Sequence, residues 1–183
     1  MTSDCYSLER YDLTSLYDQA SLEGQVSLEG QALRLCKIGP ETGPRLASAL
    51  GQILPWSEIA LGEQSLLDHF TRVDPALQRF AVTLDGDCIG AFSVRHPWLK
   101  GPYLELLGLL PAVQGRGIGR TLMRWFEREA PVRTRNCWLL CSDFNEAALG
   151  FYQALGYEKV TLIESLYAAG FHDYLMRKRL SSD

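Results

Sequence analysis

The chain has 183 residues, 46% hydrophobic and 22% charged, the balance of one ordinary folded domain with little room for a second and no sign of wholesale disorder. Its net charge of -4 and pI of about 5.4 disfavour a nucleic-acid partner, which needs a basic face, and no apolar run is long enough to span a bilayer. Five cysteines without framework spacing, and an N-terminus with no apolar signal core, read as a reduced, cytoplasmic chain.

Residues 1–31 form an N-terminal extension that holds a short direct repeat, Ser21–Gln25 and Ser27–Gln31. Two copies are too few for a repeat fold, and the segment reads as loosely tied. A regular pattern occupies residues 32–183. Ala32–Ile38 alternates apolar and polar residues, as a half-buried strand does. Glu41–Leu54 reads as a helix stopped by Pro55, and Gly62–Val73 as a second helix with Leu66, Leu67 and Phe70 on one stripe. Arg79–Leu84 and Cys88–Arg95 are strands joined by the hairpin signal Asp85-Gly86-Asp87. Tyr103–Leu109 is an apolar strand of the kind covered on both faces. Then follow a helix over Gly117–Ala130, a short apolar strand Cys137–Ser142, a helix over Asn145–Leu155 ended by Gly156, and closing strands Tyr157–Ile163 and His172–Leu180. The unit from Tyr103 to Ser142 is β-α-β and demands parallel strands, whereas the hairpin before it demands antiparallel ones, so the sheet is mixed.

Cys137 and Cys141 invite a metal reading. On one strand, however, four residues span about 13 Å, and the pair cannot share an ion. Both read as small core residues. The histidines His69, His96 and His172 are scattered, so no metal is expected.

The stretch from Leu107 to Arg120 carries chemistry. A buried strand ends at Pro111, and Gln114-Gly115-Arg116-Gly117-Ile118-Gly119-Arg120 leads straight into a helix. Glycines let backbone amides approach a ligand, and a helix start offers unpaired N–H donors with about half a positive charge, a combination suited to a pyrophosphate. No lysine follows as in a P-loop, and Arg120 stands where a Rossmann loop has its third glycine. A tight strand-to-helix turn without a ligand would look similar.

The spacing Gln114-x-x-Gly117-x-Gly119 resembles the acetyl-CoA motif of the GCN5-related N-acetyltransferase (GNAT) family. A later match, Asn145, Phe151-Tyr152 and Gly156-Tyr157, is similar to that family's second motif. The resemblance runs from Ala32 to Leu180. It implies an α/β (α+β) fold with a mixed central sheet, mostly antiparallel around a parallel central β-α-β unit, and helices on both faces. It implies acetyl-CoA as co-substrate, with its pyrophosphate on the amides of Gln114, Gly115, Arg116, Gly117, Ile118, Gly119 and Arg120. Backbone groups of Leu107 and Leu109 would meet the pantetheine and the thioester carbonyl. Tyr152 matches the usual general acid, a phenol able to protonate the departing thiolate, though its ring also fits the helix stripe. Asn145 would cap its helix and contact CoA.

Glu105, in the central strand, matches an acidic position seen in many members and is the candidate general base, with a salt-bridge role as the alternative. Relatives that modify ribosomal-protein N-termini often carry a glutamate where this chain has Leu140. The implied acceptor is a primary amine on a protein terminus, a lysine or a small molecule, reached by direct attack. A non-catalytic acetyl-CoA-binding module would carry the same loop. Relatives are often dimers, which leaves a homodimer open. Arg124 and Arg128 read as a solvated face balanced by Glu127 and Glu129, and Trp56, Trp98, Tyr103 and Phe171 as aromatics of the acceptor pocket or the core.

Overall fold

The computed structural model describes residues 31–58, 62–128 and 135–180. One sheet holds β1 (Leu33–Lys37), β2 (Leu77–Leu84), β3 (Asp87–Trp98), β4 (Gly101–Leu109), β5 (Asn136–Ser142), β6 (Glu158–Ile163) and β7 (Asp173–Arg179). Their spatial order is β1-β2-β3-β4-β5-β7-β6, and every neighbouring pair is antiparallel except β4–β5. Among the described residues, four α-helices accompany it: α1 (Thr42–Leu50), α2 (Gly62–Thr71), α3 (Ile118–Arg128) and α4 (Glu146–Ala154).

This is the expected order and the expected mixed sheet. The repeat in residues 1–31, Gln31 apart, and the last two residues of the helix expected to reach Ala130 lie outside the described residues. No described helix is long and apolar enough to cross a membrane.

Most boundaries shift by one or two residues, and two differ from the sequence reading by more. Helix α1 stops at Leu50 rather than Leu54, and Gly51, a poor helix former, closes it with its amide on the Ala47 carbonyl at 2.9 Å. Strand β3 continues past Arg95 to Trp98, which pairs with Gly101. A proline inside a strand cannot donate to the ladder. Pro97 sits within a register shift between Arg95 and Trp98. Trp98 then stacks on Tyr103 at 4.7 Å and meets Trp138 edge-on, which anchors the end of the hairpin. At the other hairpin the loop is only Asp85-Gly86, both at positive φ (52° and 93°), the backbone a two-residue turn between twisted strands requires.

The core has two parts. Phe92, Leu104, Leu122, Met123, Leu139, Cys141 and Tyr152 belong to the larger cluster, built with α3 and α4. Ala81, Ala91 and Leu106 meet Leu46, Leu50, Leu66 and Phe70 of α1 and α2 in the second. Cys137 and Cys141 are buried as expected.

Strand β4 does not alternate cleanly between these faces. Ser93 pairs with Leu106 but Val94 with Leu104, so Glu105 is the extra residue of a β-bulge, a device that bends a strand and re-aims a side chain. The parallel pairing of β4 with β5 stops at the same place. Only Tyr103–Trp138 and Leu104–Leu139 are in register, and beyond them the strands diverge. The closed end of this wedge is fixed by the Trp138 indole N–H donating to the Leu99 carbonyl at 3.0 Å.

Candidate active site

The wedge between β4 and β5 opens into a cleft of about 1150 Å³, lined by both strands, the glycine turn, α4, and residues of α2 and the β6–β7 connection. That volume suits a large ligand together with a second small one.

The glycine turn forms one end. Pro111–Val113 make a single 3-10 turn. Gly115 and Gly117 then adopt φ of 75° and 81°, a left-handed geometry that side-chain-bearing residues avoid. Helix α3 starts at the next residue, Ile118. The amides of its first turn have no acceptor within the helix and carry the positive end of its dipole. The Gln114 side-chain amide donates to the Leu109 carbonyl at 2.8 Å and ties the turn back to the strand. Gln114, Gly115, Gly117, Gly119 and Arg120 line the cleft, as do Leu107 and Leu109. Arg116 does not: its guanidinium donates to Gln31 at 2.7 Å. The Ile118 side chain is core, 1% exposed, and only its main chain is on the turn.

Helix α4 supplies the opposite wall. Asn145 is its N-cap, with its side-chain oxygen accepting from the Ala148 amide at 3.2 Å, and it lines the cleft. Tyr152 lines it too, packed edge-on against Phe151 and Tyr157 and only 8% exposed. The ring belongs to the core cluster, as one sequence reading had it, and the residue also borders the cleft. Burial, then the neighbouring Cys141 thiol, push its phenol above the usual range, so it stays protonated.

Glu105 projects toward α2. Its Oε1 accepts from Arg72 at 2.8 Å and from Arg95 at 3.2 Å, and its Oε2 accepts from Arg95 Nε at 2.5 Å. Arg95 also pairs with Asp74 at 2.9 Å. Glu105 lines the cleft, yet three of its lone-pair directions are already filled, so the salt-bridge arrangement is the one present. His69, which sequence reasoning set aside, sits beside it with Nδ1 at 3.7 Å from Oε1. Its Nε2 is hydrogen-bonded to the Ser93 hydroxyl at 3.0 Å. Burial pushes His69 down to about 4, against the pull of Glu105, so the imidazole is neutral at pH 7.

Of the four aromatics, Trp56 and Tyr103 line the cleft. Trp56 lies so close over β4 that a Cβ on Gly108 would be 2.8 Å from its ring. Trp98 is behind Tyr103, and Phe171 pairs with Phe144. Arg124 is exposed as expected, but Glu127 turns away from the arginine face to bind Lys178 of β7 at 2.6 Å. Asp173 and Tyr167 are cleft residues that the sequence reading did not single out. A carboxylate opening a closing strand was the only available signal.

Comparison with known proteins agrees with this geometry. The model of the Acetyltransferase (GNAT) family matches residues 46–157. The chain is 38% identical over 76 residues to the N-alpha-acetyltransferase RimI of Mycobacterium tuberculosis, covering 41% of this chain and 47% of that protein. It is 33% identical over 91 residues to the streptothricin acetyltransferase of Streptomyces lavendulae, covering 48% of this chain and 47% of that protein. The matches thus span about half the length of each relative. In fold, an acetyltransferase from Thermus thermophilus superposes with a TM-score of 0.62 at 22% identity, over 81% of this chain and 97% of that one.

Proposed function

This chain belongs to the Acetyltransferase (GNAT) family, and from that membership we propose that it transfers the acetyl group of acetyl-CoA to a primary amine by direct attack in a ternary complex. The observation that carries the reading is the wedge between β4 and β5, opening onto a turn with two left-handed glycines at the start of α3.

The residues fit the co-substrate. The first-turn amides of α3, with those of Gly115 and Gly117, would hold the pyrophosphate. The diverging strand edges would accept the amide-bearing pantetheine arm as an extra partner. An N–H of β4 near Leu107 or Leu109 would face the thioester carbonyl, where losing such a donor costs about 3–4 kcal/mol of transition-state stabilisation. Tyr152 would protonate the departing thiolate, and Asn145 would add a contact to CoA from the cap of α4. The acceptor enters from the face of α1 and α2, where Trp56, Tyr103 and Glu105 stand. It is a protein N-terminus, a lysine or a small-molecule amine. The four described cysteines are free thiols, which suits a reducing cytoplasm.

The test is calorimetric titration with acetyl-CoA, followed by CoA-thiol release with an alanine-initiated peptide, a lysine peptide, spermidine and streptothricin. Binding with release on one amine is the expected result. Binding without release on any of them would leave the chain an acetyl-CoA-binding module, and no binding would overturn the reading. In the same titration, Gly117→Ala should weaken acetyl-CoA about tenfold, because a left-handed alanine costs about 1–2 kcal/mol. No atom lies within 4 Å of the added methyl, so the effect is on the turn alone. Unchanged affinity would remove the turn from the CoA site.

A further inference from the structure

We propose that Asp173 receives the acceptor's ammonium group and takes its proton, an assignment that rests on the acetyl-transfer reading above. Asp173 is the first residue of β7 and pairs with Ser142 of β5. It is 3% exposed. Its Oδ1 accepts from the Ser142 hydroxyl at 2.9 Å, while Oδ2 is buried and has no hydrogen-bond partner among the described residues. A buried carboxylate oxygen without a donor is costly, and such groups recur where a ligand completes them.

Its position selects the ligand. Leu139 and Cys141 point into the core with Tyr152, so by strand alternation Leu140 and Ser142 face the other side of the sheet. Asp173, Ser142, Tyr103 and Tyr167 all line the cleft there, and the two phenols are close enough to influence each other's ionisation. Glu105 lines the same cleft but is engaged by Arg72 and Arg95. On the acceptor side, Asp173 therefore has the carboxylate oxygen without a donor among the described residues, and a cationic N–H donor is the complement to it.

Asp173 takes one proton from R-NH3+, leaving a free amine whose lone pair attacks the thioester carbon. The C–N bond forms, the C–S bond breaks, and the thiolate takes the Tyr152 proton. The tyrosinate recovers a proton from the new amide nitrogen, and Asp173 releases its own to water. Burial raises Asp173 above the usual carboxylate range, with the Asp143 charge also raising it and the Ser142 bond and His172 opposing. A raised value makes it a stronger base. The groups around it are Ser142, Cys141 and Asp143 from β5 and its turn, Tyr103 and Glu105 from β4, Tyr167 from the β6–β7 connection, and His172 beside it. Because Asp173 must be ionised, kcat/KM should fall as pH drops through its raised value, above the pH at which an ordinary aspartate titrates.

The experiment compares wild type, Asp173→Asn and Ser142→Ala, using whichever of the four amines above the wild type acetylates. Asp173→Asn keeps the shape and the oxygen that accepts from Ser142. It should lower kcat/KM about 100-fold at pH 7 and recover toward high pH as free amine accumulates, with acetyl-CoA affinity and melting temperature unchanged. Ser142→Ala removes a bond that favours the ionised carboxylate, so its acid limb should move to higher pH. A purely structural Asp173 would move stability and leave both profiles in place. Asp173→Asn within about threefold of wild type, on an unaltered pH profile, would overturn the assignment and leave acetyl transfer standing. Acetyl-CoA binding without release on any of the amines would overturn the transfer reading, and this assignment with it.

Discussion

Replacing Tyr152 by phenylalanine is expected to lower kcat about a hundredfold while leaving acetyl-CoA affinity unchanged. The substitution removes one oxygen and keeps the ring that packs edge-on against Phe151 and Tyr157, so a fall in kcat reports chemistry rather than folding. On the reading proposed above, the departing thiolate is unfavourable to expel, and the Tyr152 phenol would supply its proton. Burial holds the Tyr152 phenol above its usual range, so the donor is loaded at every pH below about 10, the ordinary phenol value, and no alkaline loss of activity below that pH should trace to it. Steady-state kinetics with calorimetry decides the matter. An unchanged kcat would mean that the thiolate departs unprotonated and that Tyr152 only fills space.

Phe92→Ala should destabilise the fold by about 3–5 kcal/mol, the usual cost of emptying a phenylalanine site. Phe92 is 0% exposed and meets Trp125 at 5.8 Å and Phe126 at 6.3 Å, both edge-on. Those ring pairs add about 0.5–1.5 kcal/mol each beyond area burial. For a chain of this size the melting temperature should drop by roughly 10 °C, measured by thermal and urea unfolding. A loss below about 1.5 kcal/mol would mean that the core collapses around the hole. Phe92 also pairs with Leu107 of β4, so the cavity should loosen the strand that lines the cleft.

The element order was legible because each segment carries its own period and punctuation. The Asp85-Gly86 turn, the apolar β4, Asn145 at a cap and the glycine turn all follow from neighbours in sequence. The cleft's polar partners were not legible, since they depend on strand register. Glu105 stood out, but Arg72 comes from just beyond α2 and Arg95 from β3, and the bulge that aims Glu105 at them leaves no local mark. His69 lacked a motif and gained its meaning only from burial beside Ser93 and Glu105. Asp173 was not singled out, because only strand pairing brings Ser142 to rest opposite it.

Because only two residue pairs join β4 to β5, the sheet is two blocks meeting at a seam. The turn from Gln114 to Arg120 grows from the end of β4 in the first block, whereas in the second Tyr167 lies between β6 and β7 and Asp173 opens β7. Substitutions between Glu164 and His172 can reshape one wall of the cleft without disturbing the backbone of the turn. On the reading proposed above, the choice of amine is free to drift in evolution while the donor half stays fixed, and descendants of one such chain can acquire new acceptors by exchanging a single connection.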